Sequence, residues 1–538
     1  MKVLVVNLTR FGDLLQTGPT IEGLKEQHPG CHVTVVVEHN FAEVVRGLPG
    51  VDRIHELDLD ALGRLLLADD LRAAYHTVDD AVSALRAERF DLALNYSSSR
   101  MSAVLLRLIG VPDTRGWTMT TDGFRLISHP WSRLFSASCL VRRQAPFNLV
   151  DYYKRVAGVT RGPRRLRYEV PAAARIRIAE RLAAAGVQTD TPLVGLQLGA
   201  SKAVRRWPAA SFVGVARALQ VRLGARVVLC GGNGDRAVAE EITAAVGDLA
   251  IDLCGRTSIG ELGALLERTD VLVTGDTGPM HMAVAVGTPV VSLFFGPALP
   301  FDTGPYGEDH VCLHADVACA PCDHNVTCLQ PFCRETLSPE AVADAVVARR
   351  AGDWAAIDAA AARWSGFGWY RTGFDAEGLF EARRLGPPSA QTGETLRQVY
   401  RSLWKAELEG TTPAVSWPPQ PAAAAAAHAV RAVAADACAQ AGRVEQLARD
   451  ATDVEALEAA AQTLEALDTE LLRLGAIHEP AALLTQVLRF DKENIVGDDV
   501  HGLAVATRAL HETLLGRADR LVQLLDGRGA GPEEDRCR

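Results

Sequence analysis

This sequence predicts two α/β halves in tandem followed by a helical extension, and three observations carry that reading. Short continuous apolar runs such as KVLVVNL and HVTVVVE alternate with stretches of helical spacing, which implies a parallel sheet covered on both faces. The alternation occurs twice, separated by the basic, Gly-Pro-broken stretch RGPRRLR at 161–167. Beyond Ser338-Pro339-Glu340, a good helix start, helical spacing takes over. The expected division is 1–167, 168–350 and 351–538, the two α/β halves facing each other across a cleft. A chain of 538 residues is long enough for two or three domains.

In the first half, strands are expected at 2–8, 32–38, 53–57 and 91–96, the third of them weak. Helices are expected at 14–27, from 41, over much of 60–89, at 101–109 and at 148–156. From Arg115 to Arg143 the pattern weakens and Arg and aromatic residues increase. In the second half, helix 172–186 leads to strand 193–198, and helix 209–223 to strand 227–230. A helix, strand 251–253 and helix 259–268 follow. Next comes VLVTGDTGPMHMAVAVGTP at 271–289. Val271–Thr274 reads as a buried strand that Gly275 breaks. Pro279 is allowed in the first turn of the next helix, where its missing N–H is unneeded. Gly287 supplies a left-handed stop before Pro289 and a second buried run at 290–295. Residues 340–410 read as mainly helical, interrupted by the aromatic patch WSGFGWYRTGF at 364–374. A Pro-rich linker at 411–421 precedes three or four Ala- and Leu-rich helices over 422–527, which fit either a small bundle or pairing with another copy. The tail from 529 reads as frayed.

Composition narrows the class. Apolar residues make up 48% and charged residues 23%, so the chain can bury sizeable cores. A net charge of −10 gives no basic excess to argue for nucleic acid. The apolar run at the N-terminus is too short for a signal peptide, and no run approaches transmembrane length. A cytoplasmic protein is the expectation. Of eleven cysteines, Cys312, Cys319, Cys322, Cys328 and Cys333 sit close together. In a reducing compartment such a cluster suggests a metal or reactive thiols before disulfides.

Five constellations could carry chemistry. Asp13 stands where the first strand turns into the first helix. It reads either as a helix-start residue or as a general base facing the cleft, with a pKa lowered by the helix end. The turn Gly199–Pro208 offers backbone N–H groups with Ser201, Lys202, Arg205 and Arg206 for phosphate oxygens, or is a solvated basic turn. Gly231-Gly232-Asn233-Gly234-Asp235 is neither a Walker loop nor GxGxxG. It could approach a nucleotide, with Asp235 near a ribose hydroxyl. At the carboxyl end of strand 271–274, Asp276 could hold sugar hydroxyls. Thr277 and Gly278 could donate to a diphosphate at a helix N-terminus, and His281 could add a donor. Cys319, Cys322, Cys328 and Cys333, with His310, His314 and His324 nearby, read either as a structural four-thiolate zinc or iron site or as thiols without metal.

With these residues in view, roughly 1–350 resembles glycosyltransferase family 9, the ADP-heptose:lipopolysaccharide heptosyltransferases. The resemblance lies in Val5-Val6-Asn7 through Gly12-Asp13 to Thr17-Gly18-Pro19, in Gly199-Ala200-Ser201 with Arg205-Arg206-Trp207-Pro208, and most specifically in Gly275-Asp276-Thr277-Gly278 through His281. Asn148-Leu149-Val150-Asp151 to Gly158 is also similar. Arg205 stands where the family usually has Lys. The resemblance implies a GT-B fold of two Rossmann-like domains and an inverting transfer with Asp13 as base. It further implies a nucleotide-sugar donor, ADP-heptose, on Ser201, Arg205, Asp235, Asp276, Thr277, Gly278 and His281. No divalent metal is implied at the reacting centre. The implied acceptor is a lipopolysaccharide core or other cell-envelope glycan at the inner face of the cytoplasmic membrane. A protein acceptor, or a non-catalytic assembly role with the extension as interface, are the competing readings. Residues beyond about 350 lie outside the family core.

Overall fold

The computed structural model describes residues 1–323, 327–387, 393–411, 417–450, 453–497 and 499–527. His324, residues 412–416 of the expected linker and the tail from 529 lie outside the described residues. The chain divides into two compact units. One comprises Met1–Arg125 with Phe147–Ala390, the other Leu126–Pro146 with Gln391–Arg538.

The first unit holds two sheets. Its first lobe is built on β1 (Lys2–Val6), β2 (His32–Glu38), β3 (Arg53–Leu57), β4 (Leu92–Asn95) and β5 (Asp113–Met119), in the order β3-β2-β1-β4-β5 and all parallel. β1 and β4 are buried on both faces, which is why they read as unbroken apolar runs. The short β6 (Arg125–Ile127) leads out of this lobe.

The second lobe contains β7 (Leu193–Gln197), β8 (Arg226–Cys230), β9 (Ala250–Asp252), β10 (Val271–Gly275), β11 (Val290–Phe294), β12 (Val311–Ala315), β13 (Phe367–Phe374) and β14 (Phe380–Leu385). Their order is β14-β13-β12-β11-β10-β7-β8-β9. β13 and β14 run antiparallel to their neighbours, and the rest are parallel.

The hairpin β13–β14 corrects the expected start of the helical extension at 351. The patch 364–374 is a strand paired with β12, Trp369 facing Leu313 in register, and Trp369 is fully buried. The strand signal was hidden because glycines break its alternation and aromatic residues sit on both faces. Asp151, on the helix Leu149–Val156, fastens the hairpin. Its carboxylate accepts the Tyr306 hydroxyl at 2.9 Å and the Phe380 N–H at 2.8 Å.

In each sheet the strand order reverses beside the strand that begins the lobe, between β1 and β4 and between β7 and β10. Open α/β sheets bind ligands outside the carboxyl ends of the strands at such points. Asp13 follows β1, Gly199 follows β7 and Asp276 follows β10, so the expected site residues stand at these two crevices.

The second unit is helical. The helices Pro421–Asp450, Val454–Ile477, Ala482–Glu493 and Val500–Leu525 pack with Gly393–Glu409. The helix Pro130–Leu140, from the stretch where the sequence pattern weakened, lies on Ala482–Glu493. Arg133 Nε contacts Asp491 Oδ1 at 2.6 Å, and the Ile127 N–H donates to Asn494 Oδ1 at 2.5 Å. Arg517 bonds Asp491 and Glu407 and lies over the Trp404 ring at 4.9 Å. Deeper in the bundle, fully buried His511 contacts Asp468 at 2.9 Å, and Asp468 also meets Lys492.

Candidate active site

The first crevice is organised by Asn7, which is fully buried at the end of β1. Its Nδ2 donates to Thr17 Oγ1 at 2.9 Å, while its Oδ1 accepts from the Thr9 N–H and hydroxyl. Ser97 Oγ, beyond β4, accepts the Leu8 N–H at 2.6 Å. These bonds fix the turn into the helix Phe11–Gln27 and set Asp13 in its first turn. The Arg10 N–H reaches Asp13 Oδ2 at 3.4 Å. The sequence expectation was a pKa lowered by the helix end. The structure reverses it. Burial pushes the Asp13 carboxyl above the usual aspartate range, the negative charge of Asp276 adds to the rise, and the hydrogen bonds from Arg10 and Thr9 offset only part of it.

The second crevice gathers most of the expected donor residues. Arg205 Nη1 bonds Asp276 at both its backbone oxygen, 3.2 Å, and its Oδ2, 3.1 Å. Arg205 Nη2 donates to Ser201 Oγ at 2.7 Å. Arg206 Nε on the Ala200 oxygen, and Arg334 on the oxygens of Ala203 and Arg206, hold the turn in shape. Arg205 Nε and Trp207 Nε1 are buried without a hydrogen-bond partner among the described residues, beside a small recess lined by Gln197, Gly199, Gly275 and Phe295. Asp235, the expected ribose contact, stands at the turn after β8. Its Oδ2 accepts the Gly232 N–H at 2.9 Å, and it packs so tightly on Gly199 that a Cβ there would lie 2.1 Å from that oxygen.

The turn after β10 runs into the helix Gly278–Ala285, with Pro279 in its first turn and Gly287 at φ +85° as the sequence anticipated. This helix meets the Phe11–Gln27 helix end to end. A Cβ on Gly278 would fall 2.2 Å from Phe11 Cδ1, and one on Gly12 would fall 2.9 Å from His281 Cδ2. Both glycines are therefore needed for close approach. His281 is 3% exposed, and burial pushes its pKa down to about 4, so the ring is neutral at pH 7. Its Nδ1 is buried with no partner among the described residues. The Asp13 carboxylate, one residue beyond Gly12, thus lies beside the turn that carries Asp276 to His281.

Three contributors were not singled out in the sequence. Phe11 covers Gly278. Glu43 Oε1 accepts the Gly260 N–H at 2.8 Å and the Ser258 hydroxyl at 3.1 Å, joining the first lobe to a helix start of the second. Gln197 bonds both turns of the second crevice. Only Gln197 carried a signal, as a lone amide in an apolar strand.

The cysteines are spread over different environments. Cys319 is exposed, Cys322 and Cys328 are partly buried and Cys333 is buried. Among the described residues, no three His, Cys, Asp or Glu side chains converge as a metal-holding group. Cys312 and His310 are committed to the core. His310 Nδ1 accepts the Val290 N–H at 3.2 Å, and burial pushes the Cys312 thiol up to about 12.

Known proteins resemble this chain over the same region. The sequence profile described as glycosyltransferase family 9 (heptosyltransferase) matches residues 80–332. Lipopolysaccharide heptosyltransferase 3 of Escherichia coli is 27% identical over 289 residues, which is 53% of this chain and 80% of that protein. Lipopolysaccharide heptosyltransferase 1 of Pseudomonas aeruginosa is 26% identical over 333 residues, 62% of this chain and 88% of that protein. Among solved structures, a family 9 glycosyl transferase from Veillonella parvula superposes with a TM-score of 0.54 at 23% identity, covering 65% of this chain and 97% of that one.

Proposed function

We propose that this chain, whose α/β unit has the GT-B fold and is similar to glycosyltransferase family 9, transfers a heptose-like sugar from ADP-heptose to a cell-envelope glycan with inversion at the anomeric carbon. The observation that carries the reading is the end-to-end packing of two helix starts, one bearing Asp13 and the other Asp276 to His281.

The chemistry follows from that placement. The acceptor hydroxyl loses its proton to the Asp13 carboxylate as its oxygen bonds to the anomeric carbon. The bond from that carbon to the diphosphate oxygen breaks, and its electron pair leaves on the diphosphate. A carboxylate held above the usual aspartate range is the stronger base for this proton. Charge growing on the leaving group meets the backbone N–H groups at Gly278 and the guanidinium of Arg205, already fixed by Ser201 and Asp276. Neutral His281 adds a hydrogen-bonding nitrogen without a competing charge. These fixed donors stabilise the departing diphosphate, so transfer is expected without added divalent cation.

The acceptor proposed is a lipopolysaccharide core, reached from the cytoplasmic face of the inner membrane. No helix among the described residues is long and apolar enough to cross a membrane, so contact there would be peripheral. Incubating the full chain with labelled ADP-heptose and fractionated envelope extracts after EDTA treatment tests the reading. Label in the lipid-linked glycan, with ADP released and the anomeric configuration inverted, is expected. Sustained dependence on Mg²⁺, or retained configuration, contradicts the mechanism. Label in a protein band contradicts the acceptor.

A further inference from the structure

β7 is a central strand, buried at every position, and its last residue is an amide. An apolar residue would fill that place more cheaply unless both ends of the amide are bonded. They are. Gln197 Nε2 donates to the Gly199 oxygen at 2.7 Å, and Oε1 lies 3.1 Å from Thr277 Oγ1 and 3.2 Å from Thr274 Oγ1. A carbonyl oxygen only accepts, so the contact with Gly199 fixes which end of the amide is nitrogen. The same logic orients the hydroxyls. Thr274 has the Gly275 oxygen at 2.9 Å for its single proton, which leaves Gln197 Oε1 as the short acceptor for Thr277.

We propose that Gln197 is a positioning residue for the donor diphosphate: it ties the turn after β7 to the turn after β10 and directs the Thr277 hydroxyl proton into the sheet. The turn carrying Ser201 and Arg205 begins two residues after Gln197, and the turn carrying Asp276 and Gly278 contains Thr277. One amide therefore sets the spacing of both groups of anion donors. With its proton committed, the Thr277 side chain offers no donor to a phosphate, and the helix start binds through its backbone N–H groups. The inference rests on the reading of this crevice as the nucleotide-sugar site.

The test uses the full chain, with ADP binding by calorimetry and steady-state kinetics with ADP-heptose. Gln197→Met keeps length and burial but removes the amide. It is expected to weaken ADP and raise KM for ADP-heptose by about tenfold, with a smaller change in kcat. Thr277→Val removes the same bond from the other side and is expected to act alike. The double variant is expected to be no worse than either single one, because both break one link. If Gln197→Met fails to fold, Thr277→Val carries the same measurement at a half-buried position. ADP affinity within about twofold of wild type in a variant whose melting point has fallen overturns the proposal, since that is a purely structural residue. Additive losses also overturn it. A wild-type chain that binds neither ADP nor ADP-heptose overturns the donor reading itself.

Discussion

At the scale of single residues, burial sets the protonation of two groups, Asp13 and His310. Asp13 must be ionised to accept a proton, and burial raises its pKa above the ordinary aspartate value of 3.8. Activity is therefore expected to fall as pH drops through a point above that value. A pH profile of kcat measures it. A rate that stays flat down to 3.8 in protein still folded by circular dichroism contradicts the raised base. The position of Asp13 was legible in the sequence, but the sign of its shift was not, because a helix start is local whereas the burial comes from residues distant in the chain. His310 is the structural counterpart. Its Nδ1 must be unprotonated to accept the Val290 N–H, and burial holds its pKa down to about 3. Below an unfolded value near 6.5 the unfolded chain gains a proton that the fold refuses, so stability falls with pH until the folded value is reached. His310→Gln is expected to flatten the fall of the unfolding free energy between pH 7 and 5, by up to about 1.4 kcal/mol per pH unit at the acid end, read by denaturant unfolding; an unchanged slope contradicts this.

At the scale of elements, the strand–turn–helix units were readable because each is locally consistent. An apolar run stops at a glycine or polar turn, and a helix of matching spacing begins. What no single element reveals is the fit between two of them. Gly12 and Gly278 both read as ordinary turn residues, yet each makes room for a side chain from the other lobe. Gly278→Ala would drive a methyl into the Phe11 ring, so donor KM is expected to rise about tenfold or more. The double variant Phe11→Ala with Gly278→Ala is expected to recover most of that loss. Kinetics of the two variants measure the difference, and a double variant no better than the single one contradicts the packing account. The hairpin β13–β14 was missed for a related reason, since only its pairing with β12 makes a strand of WSGFGWYRTGF.

At the scale of the whole molecule, the sequence suggested a simple succession of domains, and the chain is less orderly. Residues 126–146 leave the first lobe and fold with helices more than three hundred positions later, which explains why their own pattern is weak. Asp491 is the ionic centre of that helical unit, held by Arg133 and Arg517. Asp491→Ala leaves Arg133 without its carboxylate and Arg517 with Glu407 alone, and is expected to cost about 2 kcal/mol, read by denaturant unfolding. No change in the midpoint would contradict it. The chemistry is expected to remain with the α/β unit, with Asp13 removing the acceptor proton. The most direct measurement compares Asp13→Asn with wild type, reading heptosyl transfer and ADP-heptose affinity side by side. Transfer is expected to fall about 10²- to 10⁴-fold while donor affinity stays within a few fold of wild type. Full transfer by the Asn variant would contradict the account.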